Sequence, residues 1–133
     1  MMFRVTDQNA FAPLATLECV VIDCPAPRNL ATFYQGLFGG SVNRTDPRWT
    51  VNDHWATLHT PSGQVVAFQG IDHYVAPQWP DSTHPQQFHL DLHVNDVDGA
   101  HARIIAAGGE LLRVAAGWRV YADPAGHPFC VLG

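Results

Sequence analysis

A chain of 133 residues with 47% hydrophobic residues is long enough to bury one hydrophobic core, which predicts a single domain over residues 1–133. The twelve acidic residues outnumber the seven basic ones and give a formal net charge of −5, and the basic residues form no cluster that could follow a phosphate backbone. These properties argue against nucleic acid as a partner.

The first fifteen residues, MMFRVTDQNAFAPLA, contain charged side chains and no unbroken apolar stretch. Neither a signal peptide nor a membrane span is expected there, so we predict a cytoplasmic protein without a membrane partner. The three cysteines form no CxxC pair and are expected to be free thiols: Cys19, Cys24 and Cys130.

The first predicted strand covers residues 17–23, and an amphipathic helix follows it from about Pro27. The apolar residues of this helix recur at the i, i+3, i+4, i+7 spacing of one face, namely Leu30, Phe33, Tyr34 and Leu37. Gly39 and Gly40 should end the helix. A short strand near residues 41–44 follows, and the stretch WATLHTPSGQVVAF is typical of a strand, a tight Pro-x-Gly turn and a further strand.

The next stretch, about residues 71–87, contains several prolines and predicts a linker without regular structure. A connection of this length is more often functional or disordered than neutral. Three of its ring-bearing side chains are therefore candidates for a lid over a neighbouring cavity: Tyr74, Trp79 and His84.

A second unit opens with a predicted strand over residues 88–94, in which polar and apolar residues alternate. Its apolar residues should meet the helix that follows, which places three polar side chains on the opposite face: His89, Asp91 and His93. The helix itself has Asn95 or Asp96 available as a cap, and Gly108 should end it.

The two units match each other along the chain. Three residues of the first strand–turn–strand segment recur at the same spacing in the second: Trp55, Pro61 and Gly63 become Trp118, Pro124 and Gly126. Short strands near residues 41–44 and 110–114 complete a βαβββ order in each unit. The sequence thus predicts an α+β fold of two βαβββ modules, with module one at about 15–70, the linker at about 71–87 and module two at about 88–133.

This order, with HLDLHVND opening the second unit and ADPAGHPFCVL closing it, resembles the glyoxalase and bleomycin-resistance branch of the vicinal oxygen chelate superfamily. The resemblance covers roughly residues 15–132. It implies that the two modules form a partly open mixed barrel around one cavity, and that the chain forms a homodimer.

In the metal-dependent members of that superfamily, four strand positions hold a divalent ion. Carried over by the resemblance, these positions fall on Cys19, Ala67, His89 and Cys130, of which His89 alone is a ligand type typical of the family. This departure argues against glyoxalase I, extradiol dioxygenase and fosfomycin-transferase activities. We predict a protein without a metal cofactor; the alternative is a thiophilic ion such as zinc on His89, Cys19 and Cys130.

The remaining candidate site residues are those predicted to face the cavity. His89 and Asp91 are the predicted acid–base pair, and the predicted substrate-binding residues are Gln69, Tyr121, Cys130 and Trp118. Each has a structural alternative: rim hydrogen bonding for Gln69 and Tyr121, core packing for Trp118, and the role of a small buried apolar residue for Cys130. His127 is expected to set the geometry of its turn, with general-base action at the cavity mouth as the alternative.

Two functions follow from these residues. The first is a glyoxalase-like enzyme that acts on a polar small molecule through His89 and Asp91, with a degenerate or absent metal site. The alternative is a binding protein that sequesters an aromatic or cationic compound without chemistry, as the resemblance to bleomycin-resistance proteins implies.

Overall fold

The computed structural model describes residues 13–133, whose helices and strands form two units of identical order. The first unit contains β1 (Val20–Cys24), α1 (Pro27–Phe38), β2 (Ser41–Val42), β3 (Trp55–His59) and β4 (Val65–Gly70). The second contains β5 (Leu90–His93), α2 (Val97–Ala107), β6 (Glu110–Ala115), β7 (Trp118–Ala122) and β8 (Pro128–Leu132). The predicted βαβββ duplication is therefore confirmed.

Each unit forms one four-stranded mixed sheet, and the two strand orders, β1-β4-β3-β2 and β5-β8-β7-β6, are equivalent. The first strand of each unit pairs in parallel with its last strand, while the other neighbours are antiparallel. The helix provides the long crossover that a parallel pair requires. The fold is α+β, and its sheets remain open instead of closing into a barrel.

Two strands begin later than the sequence predicts, and the pairing register explains the difference. β1 begins at Val20, which pairs with Val66 near the first residue of β4. β5 begins at Leu90, which pairs with Phe129. The preceding residue of β8 is Pro128, which has no N–H with which to extend this ladder toward His89.

The helix α1 buries the predicted apolar stripe, because Leu30, Phe33 and Tyr34 are each less than 5% exposed. Pro27 lies in its first turn and Gly39 caps its end, as predicted. The helix also reaches the second unit, since the Phe33 and Phe129 rings lie 5.9 Å apart at their centroids. One hydrophobic core therefore extends across both units.

The helix α2 is more exposed than α1, and Ile104 is its one fully buried residue. Asp96 occupies the predicted cap position but makes no side-chain capping hydrogen bond, whereas Gly108 ends the helix in the left-handed conformation with φ of 113°. Among residues 13–133, no helix has the length and apolar character needed to cross a bilayer. Residues 1–12, where no signal peptide or membrane span is predicted, lie outside the described range.

Three hydrogen bonds converge on the turn that joins β7 to β8. The Tyr34 hydroxyl donates to Asp123 at 2.7 Å, and His127 Nε2 lies 2.8 Å from the backbone oxygen of Asp23. The Tyr74 hydroxyl, which belongs to the linker, donates to the Ala125 carbonyl at 2.9 Å. The first unit, the linker and the second unit are thus tied together at one place, beside a cavity.

Candidate functional site

The polar face of β5 brings together three groups that can bind or transfer protons. Leu90 and Leu92 pack against the core, so the intervening Asp91 points the other way. Asp91 pairs with Cys130 across the parallel β5–β8 ladder. The donor atoms of His89, Asp91 and Cys130 all lie within 4.8 Å of one another, and we call these residues the β5 cluster.

The β5 cluster is partly exposed to solvent. His89 Nε2 lies 3.3 Å from Asp91 Oδ1, with the two side chains 40% and 62% exposed. At this exposure the pair contributes little to stability. Burial raises the pKa of the Cys130 thiol, and the neighbouring Asp91 carboxylate raises it further. The thiol is therefore protonated at neutral pH.

The four inherited metal-ligand positions do not meet in this structure. Ala67 is fully buried and offers no donor atom. Cys19 is outside the β5 cluster, so the expected set of Cys19, His89 and Cys130 is not brought together. Instead, Asp91 joins His89 and Cys130. Asp91 lies between two β5 residues that face the core, and it pairs directly with Cys130.

The resulting nitrogen, oxygen and sulfur donors suit a zinc-class ion with three protein ligands and one open position. They do not suit magnesium or manganese, which prefer an octahedral shell of oxygen atoms. Within residues 13–133, the β5 cluster is the one group of three or more such side chains that converges in this way.

The inner face of the first sheet is closed by the loop of residues 43–54. Asp46 accepts a hydrogen bond from His59 at 3.0 Å, and the Trp49 ring lies edge-on to the His59 ring. The Arg48 guanidinium, and then His59, hold the pKa of the Asp46 carboxyl well below its usual range. The loop therefore packs against the His59 end of β3.

Of the residues on this closed face, sequence reasoning singled out Trp55, through its repeat with Trp118, but not Thr57 or His59. Trp55, Thr57 and His59 alternate along β3, and each has one buried polar atom without a hydrogen-bond partner: Nε1, Oγ1 and Nδ1 respectively. The alternation was visible in WATLH, but no pattern in the sequence showed that a loop would cover it.

Tyr121 does not face the cavity, which corrects the expectation for this residue. Its side chain is fully buried, its ring stacks on Phe129, and its hydroxyl lies 2.8 Å from Nδ1 of His101 on α2. Tyr121 is thus on the helix-packed face of β7, where a hydroxyl needs a partner from α2.

Two of the other predicted substrate-binding residues, Trp118 and Gln69, lie on different sheets. Trp118 is half-buried on the face of β7 that carries Val120, the partner of Cys130. Gln69 is exposed on β4 and pairs with Asp23 and Trp55. Neither residue belongs to the β5 cluster.

A cavity of about 390 Å³ lies at the junction of the two units, and we call it the junction cavity. Its wall includes β1 residues 21–23, linker residues 74–77 and 84–87, and His89 and Leu90. Tyr74 and His84 are among these residues, whereas Trp79 lies beneath the Arg113 guanidinium, 4.8 Å from ring centroid to Cζ.

His127 does more than set the geometry of its turn, because it also lines the junction cavity. Its Nδ1 lies 2.8 Å from Asp123 Oδ2, while its ring lines the wall. Asp123 also accepts hydrogen bonds from the backbone N–H groups of Ala125 and His127, so one carboxylate orders both the turn and the ring. The i, i+4 spacing in DPAGH was the signal available in the sequence.

A second, wider groove of about 850 Å³ lies on the other side of Leu90. Cys19 and Arg48 line it from the first unit, and Asp91 and His93 line it from the second. Leu90 lines both spaces, whereas His89 lines the junction cavity and Asp91 lines this groove. The β5 cluster therefore lies between the two spaces.

A family model described as a glyoxalase-like domain matches residues 19–132. The chain therefore belongs to the glyoxalase-like domain family, within the glyoxalase, bleomycin-resistance and dioxygenase group of folds. A search of curated proteins gives no match.

Solved structures show the same fold. A hypothetical protein from S. aureus is 20% identical, with a TM-score of 0.63 and coverage of 90% of this chain and 98% of that one. A glyoxalase/bleomycin resistance protein/dioxygenase family enzyme from Burkholderia phytofirmans is 19% identical, with a TM-score of 0.63 and coverage of 88% and 97%. A fosfomycin resistance protein from Mesorhizobium loti is 11% identical, with a TM-score of 0.64 and coverage of 90% and 92%. At these identities the likeness concerns the fold.

Proposed function

We propose that this protein is a glyoxalase-like enzyme that acts on a polar small molecule at the β5 cluster. The observation that carries the proposal is the convergence of His89, Asp91 and Cys130 within 4.8 Å on one sheet face, beside a cavity of small-molecule size. An imidazole, a carboxylate and a thiol at this separation can share protons with one substrate.

In this proposal His89 is the acid–base group, because its side chain lies both in the β5 cluster and on the wall of the junction cavity. The Asp91 carboxylate, 3.3 Å away, stabilises positive charge on the ring after it accepts a proton. Cys130, protonated at neutral pH, supplies a neutral thiol beside Asp91 and adds no second negative charge there.

This chemistry does not require a metal, and we expect the purified protein to contain none. If a zinc-class ion binds, His89, Asp91 and Cys130 are the residues that would hold it. Such an ion supplies Lewis acidity toward a substrate oxygen when bound.

Sequestration without chemistry is the second candidate, and the junction cavity is compatible with it. Apolar surface from β1, β5, β8 and the linker makes up much of its wall, and such surface can hold a small molecule whether or not it is then transformed. We also propose that the protein is cytoplasmic and that it forms a homodimer. Sedimentation of the purified chain tests the homodimer.

Incubation with a mixture of polar metabolites, followed by mass spectrometry, separates the two candidates. We expect one compound to be depleted over many turnovers with a new product of related mass. Stoichiometric recovery of an unchanged compound from the protein, without product, would instead establish sequestration and overturn the enzymatic proposal.

A further inference from the structure

The junction cavity has the size and the apolar wall of a site for a small organic molecule. Its volume of about 390 Å³ lies within the range of ligand pockets in proteins. Val21, Leu90 and Pro128 provide apolar surface from β1, β5 and β8, and linker residues cover one side. A ligand body of one or two rings would be enclosed between the two units.

The charged groups around this cavity are acidic. Among the described residues of the lining, Asp23 is the one carboxylate and none is an arginine, while the whole sequence contains no lysine. A second carboxylate, Asp123, is fully buried behind Tyr34 and His127. Within the described part of the wall, the histidines are the only groups that could carry positive charge, and His127 faces Asp123.

Neighbouring groups respond to these carboxylates. Burial raises the pKa of the Cys24 thiol to about 11, and Asp123 and Asp23 contribute to the rise. Burial, followed by Asp123, also raises the pKa of the Tyr74 hydroxyl. Carboxylates this close to the cavity disfavour an anionic ligand there.

Several hydrogen-bond donors of the wall already have protein partners, whereas one buried acceptor has none. The Tyr34 and Tyr74 hydroxyls donate to Asp123 and to the Ala125 carbonyl. Both ring nitrogens of His127 lie within 2.8 Å of protein oxygen atoms. In contrast, the buried Oε1 of Gln86 has no partner, and a buried acceptor of this kind needs a donor.

We propose that the junction cavity binds a small organic molecule with an apolar body and a neutral or cationic head that donates a hydrogen bond, such as a hydroxyl or an amine. The head lies against Gln86 Oε1 and the Asp23 side of the wall, and the body lies against Val21 and Leu90. This inference rests on the proposed function, because it takes His89 as the group that meets the substrate and His89 lines this cavity.

Three probes with one body and different heads test this assignment: naphthylmethylamine, naphthylmethanol and naphthoate. We expect the amine and the alcohol to bind at least about tenfold more tightly than the carboxylate, as measured by NMR titration of the full chain. Equal or tighter binding of naphthoate would overturn the assignment of ligand class.

Two variants with matched controls locate the binding. Val21→Trp should abolish binding of the amine and the alcohol by filling the cavity, while Val114→Trp, at an exposed position on β6 outside the cavity, should leave it unchanged. Gln86→Leu should reduce the advantage of the amine and alcohol to within about twofold of naphthoate, and Gln78→Leu, outside the lining, should preserve it. Undiminished binding in either Val21→Trp or Gln86→Leu would refute the proposed site, and thermal melts confirm that each variant is folded.

Asp91→Asn distinguishes failure of this inference from failure of the proposed function. Asp91 lies outside the junction cavity, so probe binding should persist in this variant whether or not metabolite turnover occurs. Probe binding without any turnover in the unmodified chain would refute the proposed chemistry alone. Turnover without probe binding would refute the assignment of the cavity alone.

Discussion

At the residue scale, Asp91 adds a third possible donor atom beside two of the inherited metal positions, His89 and Cys130. The carried-over positions supply His89 and Cys130, and the strand pairing adds Asp91 beside them. A protonated Cys130 thiol must lose its proton before it can hold an ion, so any binding of zinc would become stronger as pH rises.

The metal prediction follows from these residues. We expect the purified protein to contain no stoichiometric metal and a chelator to leave its melting temperature unchanged, since the donors are partly exposed and the Cys130 thiol is protonated at neutral pH. Elemental analysis and a chelator-treated melt measure this. About one zinc per chain with a chelator-sensitive melt would contradict it, and Asp91→Asn, compared with Cys19→Ser, would then show which residue completes the ligand set.

At the element scale, the two repeat-related Pro-x-Gly turns differ in one contact. Gly63 and Gly126 have nearly the same positive φ, 92° and 93°. A Cβ at Gly63 would meet nothing within 4 Å, whereas one at Gly126 would lie 2.8 Å from the Cβ of Ala76 in the linker. The second turn therefore supports the linker that covers the junction cavity.

This pair gives an internally controlled prediction. Gly63→Ala should lower the free energy of unfolding by about 1–2 kcal/mol through its positive φ alone. Gly126→Ala should lower it by at least about 1 kcal/mol more, because the linker must also move away. Urea denaturation measures both, and equal losses would show that the linker does not press on this turn.

The elements also show what the sequence could predict. Periodicity located both helices, and the repeated turns located the strands that flank them. In β5 the alternation of leucine with His and Asp also decided which face meets the helix. In WRVYA both alternating sets contain aromatic residues, so Tyr121 was placed on the wrong face. The pairing of Asp91 with Cys130 depends on the register of two strands far apart in sequence, which no local pattern contains.

At the scale of the whole molecule, the turn of residues 123–127 connects both units and the linker. The buried hydrogen bond from Tyr34 to Asp123 joins α1 of the first unit to this turn. By comparison, the hydroxyl of Tyr121 bonds to His101 within the second unit. The two tyrosines are similarly buried, so they allow the junction to be tested against an internal contact.

Tyr34→Phe should lower the free energy of unfolding by about 1.5–3 kcal/mol, because the lost hydrogen bond is made to a charged group. Tyr121→Phe should cost about 0.5–1.5 kcal/mol, as expected for a neutral pair. Amide hydrogen exchange should also speed up around residues 123–127 in Tyr34→Phe. A Tyr34→Phe variant as stable as the unmodified chain, with unchanged exchange, would show that the junction does not depend on this bond.

The central claim is that His89 performs chemistry on a small molecule, and a pair of histidine variants tests it most directly. His93 is the last residue of β5, whereas His89 immediately precedes that strand; His93 is also exposed but is outside the β5 cluster. With the compound found to be depleted by the unmodified protein, His89→Ala should lower kcat by about 10²–10⁴-fold, the usual contribution of a general acid–base group, while His93→Ala stays within about twofold. Equal rates in His89→Ala and His93→Ala would contradict the account.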